Sequence, residues 1–401
     1  MHQPPKGKSP FYPGQPVPVE LFVGRKVQID RIMERGVQQV EAGKPMAMFI
    51  QGEYGIGKSS VAGYVQRAAE RENGLHSIYA PLGAAETLDD VGAAVLEATL
   101  RSGVFNPTRS EKLRELLAKY IGEQTLFGLT IHSEALKKDA PSIASGMLPF
   151  LQSVIDRLKE TGIKGIFLVL DEINGISTNP KFAHFIKGLV DTNAMSKEPL
   201  PLLLMLCGVE ERRREMILNH QPIDRIFEVV DIGAMTNVEM KDFFEKAFSS
   251  VSITVRPGAM DQLVEYSAGF PKIMHLVGDA AFWLDQDGII DLDDAVMAVF
   301  NAADEVGKKY VDQQVYKALR SEDYHSILGK IAKMGPDSMS FKKTDVETGL
   351  TDTEKKKFNN FLQKMKTLKV LRSGEARGEY IFNMRMVRLY IWMQSLQKRK
   401  S

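Results

Sequence analysis

Eight residues, Gly52-Glu-Tyr-Gly-Ile-Gly57-Lys58-Ser59, constrain this chain more than any other feature of its sequence. They match G-x-x-x-x-G-K-[ST], and their neighbours suit the mechanism behind that pattern. A short apolar run, Met46–Gln51, precedes them with the character of a buried strand, and a helical pattern from Lys58 to Glu72 follows. A strand that turns through glycines into a helix aims backbone N–H groups and the positive end of the helix at one point. Glycine keeps Cβ atoms out of that space. The spacing predicts a phosphate cradle made by Gly52, Glu53, Tyr54, Gly55, Ile56 and Gly57, with Ser60 beside it. Lys58 reaches the β- and γ-phosphates in such a loop, and Ser59 ligates Mg²⁺. The expected ligands are therefore ATP and Mg²⁺, and a chance match in a glycine-rich loop would not bring the flanking strand and helix with it.

Such a loop needs an acidic partner on a neighbouring strand. Gly165-Ile-Phe-Leu-Val-Leu170-Asp171-Glu172 supplies it, because its apolar run buries the strand and leaves two acids at the carboxyl edge, where ligands bind in such sheets. Asp171 is expected to hold Mg²⁺ through a water. Glu172, on the other face of an extended chain, is placed to act as general base toward an attacking water. Further strands are expected at 76–80, 201–206 and 227–232. Helices are expected at 24–40, 87–102, 108–121, 143–160, 181–195 and 210–219. Strands alternating with helices predict an α/β fold with a parallel sheet.

After residue 235 the pattern becomes helical, with segments at 236–250, 257–268, 271–285 and 291–306. Helices near 322–334, 341–347 and 351–368 follow, then a hairpin around 373–378. That succession is the winged variant of the helix-turn-helix. The expected organisation is an extended lead-in (1–20), a nucleotide-binding core (21–235), a helical lid (236–306) and a winged-helix domain (307–401).

A net charge of +1 conceals an asymmetry. From Glu305 onward there are 21 Lys and Arg against 11 Asp and Glu, a net of +10 that leaves the rest of the chain acidic. A basic end suggests a polyanion-binding module, and a solvated lysine-rich surface has the same composition. On the 351–368 segment, Phe358, Phe361, Leu362 and Met365 form an apolar stripe, leaving lysines and asparagines for phosphates and base edges. Arg372 and Arg377 flank the hairpin turn. Winged helices serve duplex DNA and protein partners alike, so both readings stand at this level. Met384–Met393 is a last amphipathic segment, expected to dock on the winged domain. One cysteine, Cys207, excludes an internal disulfide framework. No apolar run approaches bilayer length and no secretory signal is visible, so a soluble cytoplasmic protein without a membrane partner is expected.

With these motifs the chain resembles the AAA+ P-loop ATPases, and among them the Orc1/Cdc6-like and STAND-like "archaeal ATPase" group. The lead-in Pro18-Val-Glu-Leu-Phe22-Val23-Gly24-Arg25 adds to the likeness, with Lys26 where a Glu is usual. The resemblance implies that Val23 and Gly24 line an adenine pocket, and a helix-opening turn would also ask for that glycine. It implies a phosphate-sensing arginine finger near Arg225; a surface ion pair with Asp224 or Glu228 is the alternative. Arg212, Arg213 and Arg214 are rival candidates, or a solvated face. In Gly269-Phe-Pro271-Lys272, Lys272 stands where a sensor arginine is commoner. Cys207-Gly208 departs from the Asn, Ser or Thr usual at sensor 1, which fits slow hydrolysis. The resemblance further implies ATP hydrolysis to ADP and phosphate as a switch and nucleotide-dependent homo-oligomers. For the partner it offers two: duplex DNA in an initiator, loader or transposition regulator, or a protein partner in a signalling or defence ATPase.

Overall fold

The apolar runs become the strands of one parallel sheet. The computed structural model describes residues 7–14, 22–102, 106–121, 146–335 and 338–397. It divides into two units, Gly24–Gly233 and, together, Met1–Val23 with Ala234–Ser401. The expected lead-in at 1–6 and 15–20, the helix start at 143–145 and the last four residues lie outside the described residues.

The first unit opens with α1 (Lys26–Ile32), which passes through a π-helical turn (Met33–Val37) into α2 (Gln38–Glu41). Next come β1 (Met46–Gln51), α3 (Lys58–Glu72), β2 (Leu75–Pro81), α4 (Leu88–Ser102), α5 (Pro107–Ile121) and α6 (Met147–Leu158). The unit continues with β3 (Gly165–Asp171), α7 (Pro180–Ala194), β4 (Leu202–Gly208), α8 (Glu210–Asn219), a 3₁₀ segment (Gln221–Ile226) and β5 (Glu228–Asp231). The sheet order is β2-β3-β4-β1-β5, and every neighbouring pair is parallel. All seven residues of β3 and of β4 are buried, which is why those runs read as continuous rather than alternating. Phe49 from the sheet, Phe150 from α6 and Phe182 from α7 share one core.

Two differences from the sequence reading bear on the site. The first helix begins at Lys26 rather than Gly24, because Gly24 and Arg25 both hold positive φ (76° and 62°) and cannot continue a right-handed helix. Strand β4 runs to Gly208, so Cys207 lies within the strand. Register sets Gln51 beside Gly208 and Pro81 beside Asp171, bringing the loop after β1 and the acids after β3 to one edge.

The second unit contains α9 (Asn237–Ser249), β6 (Thr254–Val255), α10 (Pro257–Ser267), α11 (Pro271–Leu284), β7 (Ile289–Ile290) and α12 (Leu292–Val306). Capping boxes start α9 (Thr236 with Glu239) and α12 (Asp291 with Asp294), satisfying N–H groups that a helix end leaves unpaired. Phe11, in the described part of the lead-in, is buried against Phe243, Phe244 and Phe248. Helix α12 runs without a break into a π-helical stretch, Gly307–Tyr316, across the point where the sequence changes character. Then follow α13 (Glu322–Ala332), β8 (Ser340–Lys342), α14 (Lys343–Glu347), α15 (Asp352–Thr367), β9 (Leu371–Ser373), β10 (Glu379–Phe382) and α16 (Arg385–Gln397). The expected helix at 341–347 is shorter, because Ser340–Lys342 joins an antiparallel sheet ordered β8-β10-β9. Helix α16 packs in both cores of this unit: Met386 and Leu389 meet the first helical group, and Val387, Tyr390 and Ile391 meet the last. Among the described residues no helix is long and apolar enough to cross a membrane.

Candidate functional site

The loop after β1 is shaped by backbone before any side chain acts. A Cβ on Gly52 would overlap the Ile232 carbonyl oxygen, so only glycine fits where the loop leaves the sheet. Gly57 holds φ 99° as the residue before α3, a conformation closed to most L-residues. Ile56 is buried beneath the loop, while Glu53, Tyr54 and Gly55 face outward. Ser59 is exposed and Ser60 partly so. The Lys58 ammonium donates 2.9 Å hydrogen bonds to the carbonyls of Gly52 and Glu53 and lies 5.7 Å from the centre of the Tyr54 ring. Burial lowers its pKa, opposed by Cys207, Asp171, Glu53 and Glu172 around it.

Asp171 is 4% exposed, and both its oxygens are engaged. Oδ1 accepts from the Glu172 N–H at 2.8 Å, and Oδ2 accepts from the Tyr79 hydroxyl. Ser59 is also in hydrogen-bonding contact with that hydroxyl. Burial first, and then the Asp171 charge, push the Tyr79 hydroxyl far above its ordinary pKa, so it stays protonated and donates. Glu172 differs from the extended-chain expectation. Its φ is 56°, so the chain turns left-handed there instead of alternating faces. Its carboxylate lies against Gly83, where an added Cβ would stand 2.5 Å from Oε2. Cys207 is fully buried and burial raises its thiol, which suits packing rather than nucleophilic chemistry.

Lys58, Ser59, Asp171 and Glu172 therefore share one sheet edge with Tyr79, Gly83 and Cys207. Among the described residues no group of three or more His, Cys, Asp and Glu could hold a metal alone. One hydroxyl and one carboxylate nevertheless fit Mg²⁺, which keeps waters and takes substrate phosphates in sites of this kind.

The other candidates lie on other elements. Val23 packs against the helical core of the second unit, while Gly24 belongs to the first. Lys272 is exposed at the second position of α11 in the second unit. Arg225 is exposed in the 3₁₀ segment after α8. Its suggested ion-pair partners are taken: Asp224 pairs with Arg213, and Glu228 with Arg31 and Arg35. Of the three arginines of α8, Arg214 is solvent-exposed and Arg212 and Arg213 are partly buried. Arg213 donates to Gln51, the residue before the loop, at 2.9 Å, Arg212 pairs with Glu215 and Arg214 with Glu210.

Three residues escaped the sequence reading. Tyr79 and Gly83 sit in or after β2, where no motif marks them. Arg25 follows Gly24 in the lead-in, and its burial (4% exposed) leaves no mark in the sequence. Its guanidinium donates to the Ile56 carbonyl at 3.1 Å and to the Gly233 carbonyl at 2.5 Å, tying the loop to the end of this unit. Two positive-φ residues in succession, Gly24 and Arg25, turn the chain so that this side chain points inward.

In the second unit, α15 buries Phe358, Phe361, Leu362 and Met365. Lys355, Lys356, Asn359, Asn360, Gln363 and Lys364 are exposed, as are Arg372 and Arg377 around the β9–β10 turn.

The family model described as "AAA ATPase domain" matches residues 21–217. No curated protein matches the chain. Among solved structures, the chain is similar to a Walker-type ATPase of Pyrococcus abyssi, at 16% identity and TM-score 0.57, covering 93% of this chain and 96% of that one. It is also similar to the Aeropyrum pernix ORC2 protein, described in ADPNP–ADP complexes, at 11% identity and TM-score 0.56, covering 94% of each. At such identities these structures speak for the fold, a parallel sheet with its loop and acids at one edge. The fold is that of the AAA+ P-loop ATPases, and residues 21–217 carry the match to the AAA ATPase domain.

Proposed function

We propose that this protein binds ATP with Mg²⁺ on the loop Gly52–Ser60 and hydrolyses it to ADP and phosphate, using the cycle as a switch coupled to duplex DNA. The observation that carries the reading is the convergence of Lys58, Ser59, Asp171 and Glu172 at one carboxyl edge of a parallel sheet. In this mechanism the loop N–H groups hold the phosphates, and Lys58 exchanges the Gly52 and Glu53 carbonyls for phosphate oxygens. Ser59 and Asp171 would hold Mg²⁺, which would supply positive charge to the phosphates. Glu172 accepts a proton from the attacking water as its oxygen bonds to the γ-phosphorus and the bond to ADP breaks. Val23 and Gly24 contact adenine, Lys272 senses the γ-phosphate, and Arg225 acts on the nucleotide of its own or a neighbouring copy in a homo-oligomer.

Residues 307–401 are read as a winged helix. Helix α15 would present its exposed lysines and asparagines to the groove, and Arg372 and Arg377 would reach the backbone from the wing. A second reading, a signalling ATPase whose winged helix meets a protein partner, is favoured by buried Cys207 at the sensor 1 position, which cannot polarise a water well. One experiment separates them: fluorescent ATP binding with Mg²⁺, followed by duplex binding at two salt concentrations. The proposal expects nucleotide binding that Lys58→Ala removes, and duplex affinity that falls steeply with salt. Tight nucleotide binding with no duplex binding at low salt would favour the signalling reading.

A further inference from the structure

The Tyr79 hydroxyl sits between the two side chains proposed to hold the metal. It donates to Asp171 Oδ2 and contacts Ser59, while the Glu172 N–H holds Asp171 Oδ1 at 2.8 Å. Strand register explains why a tyrosine is needed. Tyr79 on β2 lies beside Val169 on β3, and Asp171 is two residues further along. Two residues of strand rise are about 6.6 Å, a gap that a phenol bridges and a shorter hydroxyl does not. The carboxylate is thus clamped from both sides. A carboxylate has about four lone-pair positions, so two remain free to accept from metal-bound water.

We propose that Tyr79 is a positioning residue that fixes the Asp171 carboxylate, and with it Ser59, in the geometry that captures the divalent cation of the bound nucleotide. The inference rests on the ATP–Mg²⁺ reading above and adds the residue that sets the metal requirement of that site. A bare packing role is the alternative, since a buried tyrosine hydroxyl usually finds some partner. The two differ in what they move. Lost packing weakens the fold and nucleotide binding whether metal is present or not. A lost clamp weakens only the part of nucleotide binding that depends on the metal, because the loop backbone and Lys58 hold phosphate without Asp171.

The test uses the full chain, its Tyr79→Phe and Asp171→Asn variants and the double variant. Fluorescent ADP is titrated in EDTA and at rising Mg²⁺, and Mn²⁺ occupancy is read by electron paramagnetic resonance. The expected result for Tyr79→Phe is a half-saturating metal concentration raised about fivefold to tenfold, with ADP affinity in EDTA within about twofold of the parent. In the Asp171→Asn background, Tyr79→Phe should add nothing, since it acts through that carboxylate. An unchanged or lowered metal requirement in Tyr79→Phe, or equal losses with and without metal, would overturn the proposal while leaving the nucleotide reading intact. ADP binding by the parent that ignores Mg²⁺ and Mn²⁺ altogether would overturn both.

Discussion

At the carboxyl edge of the parallel sheet, Lys58, Tyr79 and Asp171 are partly or wholly buried and hydrogen-bonded to their neighbours. On α15, Lys355, Lys356 and Lys364 stand in solvent, while Lys357 pairs with Asp323 and Lys366 donates to the Ser373 hydroxyl. Asp171 has both oxygens committed and Lys58 is held by two carbonyls, whereas Lys355 and Lys356 are simply exposed. Buried groups are worth more individually, because each is already oriented and water screens it little. Exposed lysines act through their sum, and salt weakens that sum. The comparison teaches that the same composition of charged residues gives a positioned site in one place and a diffuse field in the other.

The largest effect should come from Lys58→Ala. Removing a positioned, partly buried charge from phosphate is expected to weaken ATP binding by about a hundredfold or more, measured by equilibrium titration. Gly83→Ala should come next. The new methyl would meet the flexible end of Glu172 rather than backbone, so the fold should change by under about 1 kcal/mol. Displacement of the proposed base should nonetheless lower phosphate release about tenfold or more at unchanged nucleotide affinity. A large loss of thermal stability, with turnover per folded molecule preserved, would break this part of the comparison.

A third prediction concerns Glu354, a buried carboxylate in the C-terminal module. Glu354 is 3% exposed, closes the capping box of α15 with Thr351 and pairs with Lys330. Burial raises its pKa, but hydrogen bonds from Lys330, Ser326 and Thr351 outweigh that and bring it down to about 2. A carboxyl lowered in the folded state stabilises above its ordinary pKa, and that stability is lost as pH falls from about 4.5 toward about 2. Glu354→Ala should cost about 2 kcal/mol in urea unfolding at neutral pH, and less at pH 3. An equal cost at both pH values would contradict it. The smallest effects belong to the exposed face: Lys355→Ala and Lys356→Ala should each weaken duplex binding only severalfold and reduce the salt slope by about 1. A loss of binding from either alone would mean that α15 holds a positioned contact after all.

Much of this architecture is legible in the residues. Strand β1 and helix α3 have the bounds that the apolar run and the helical period indicate, because a buried parallel strand and an amphipathic helix leave strong local patterns. The two-residue strands β6 and β7 are invisible to such reasoning, since two residues show no period. Strand β8 was hidden for a different reason: its pairing with β10 is tertiary, and the adjoining residues do form a helix. At the site, motif spacing announces the loop and the acids. Tyr79 is not announced, because its role depends on β2 lying beside β3. The turn at Glu172 was misread as extended chain, since nothing in a glutamate foretells a φ of 56°. Arg25 looks like one more surface arginine until Ile56 and Gly233 are seen around it.

The central claim is that the sheet edge hydrolyses ATP with Glu172 as base, and phosphate release by the parent and its Glu172→Gln variant tests it most directly, with ATP binding measured on the same samples. The account predicts turnover by the parent and a fall of about a hundredfold or more in the variant, with ATP bound as tightly. Equal turnover in the two proteins would contradict it, as would an ATP-saturated parent that releases no phosphate.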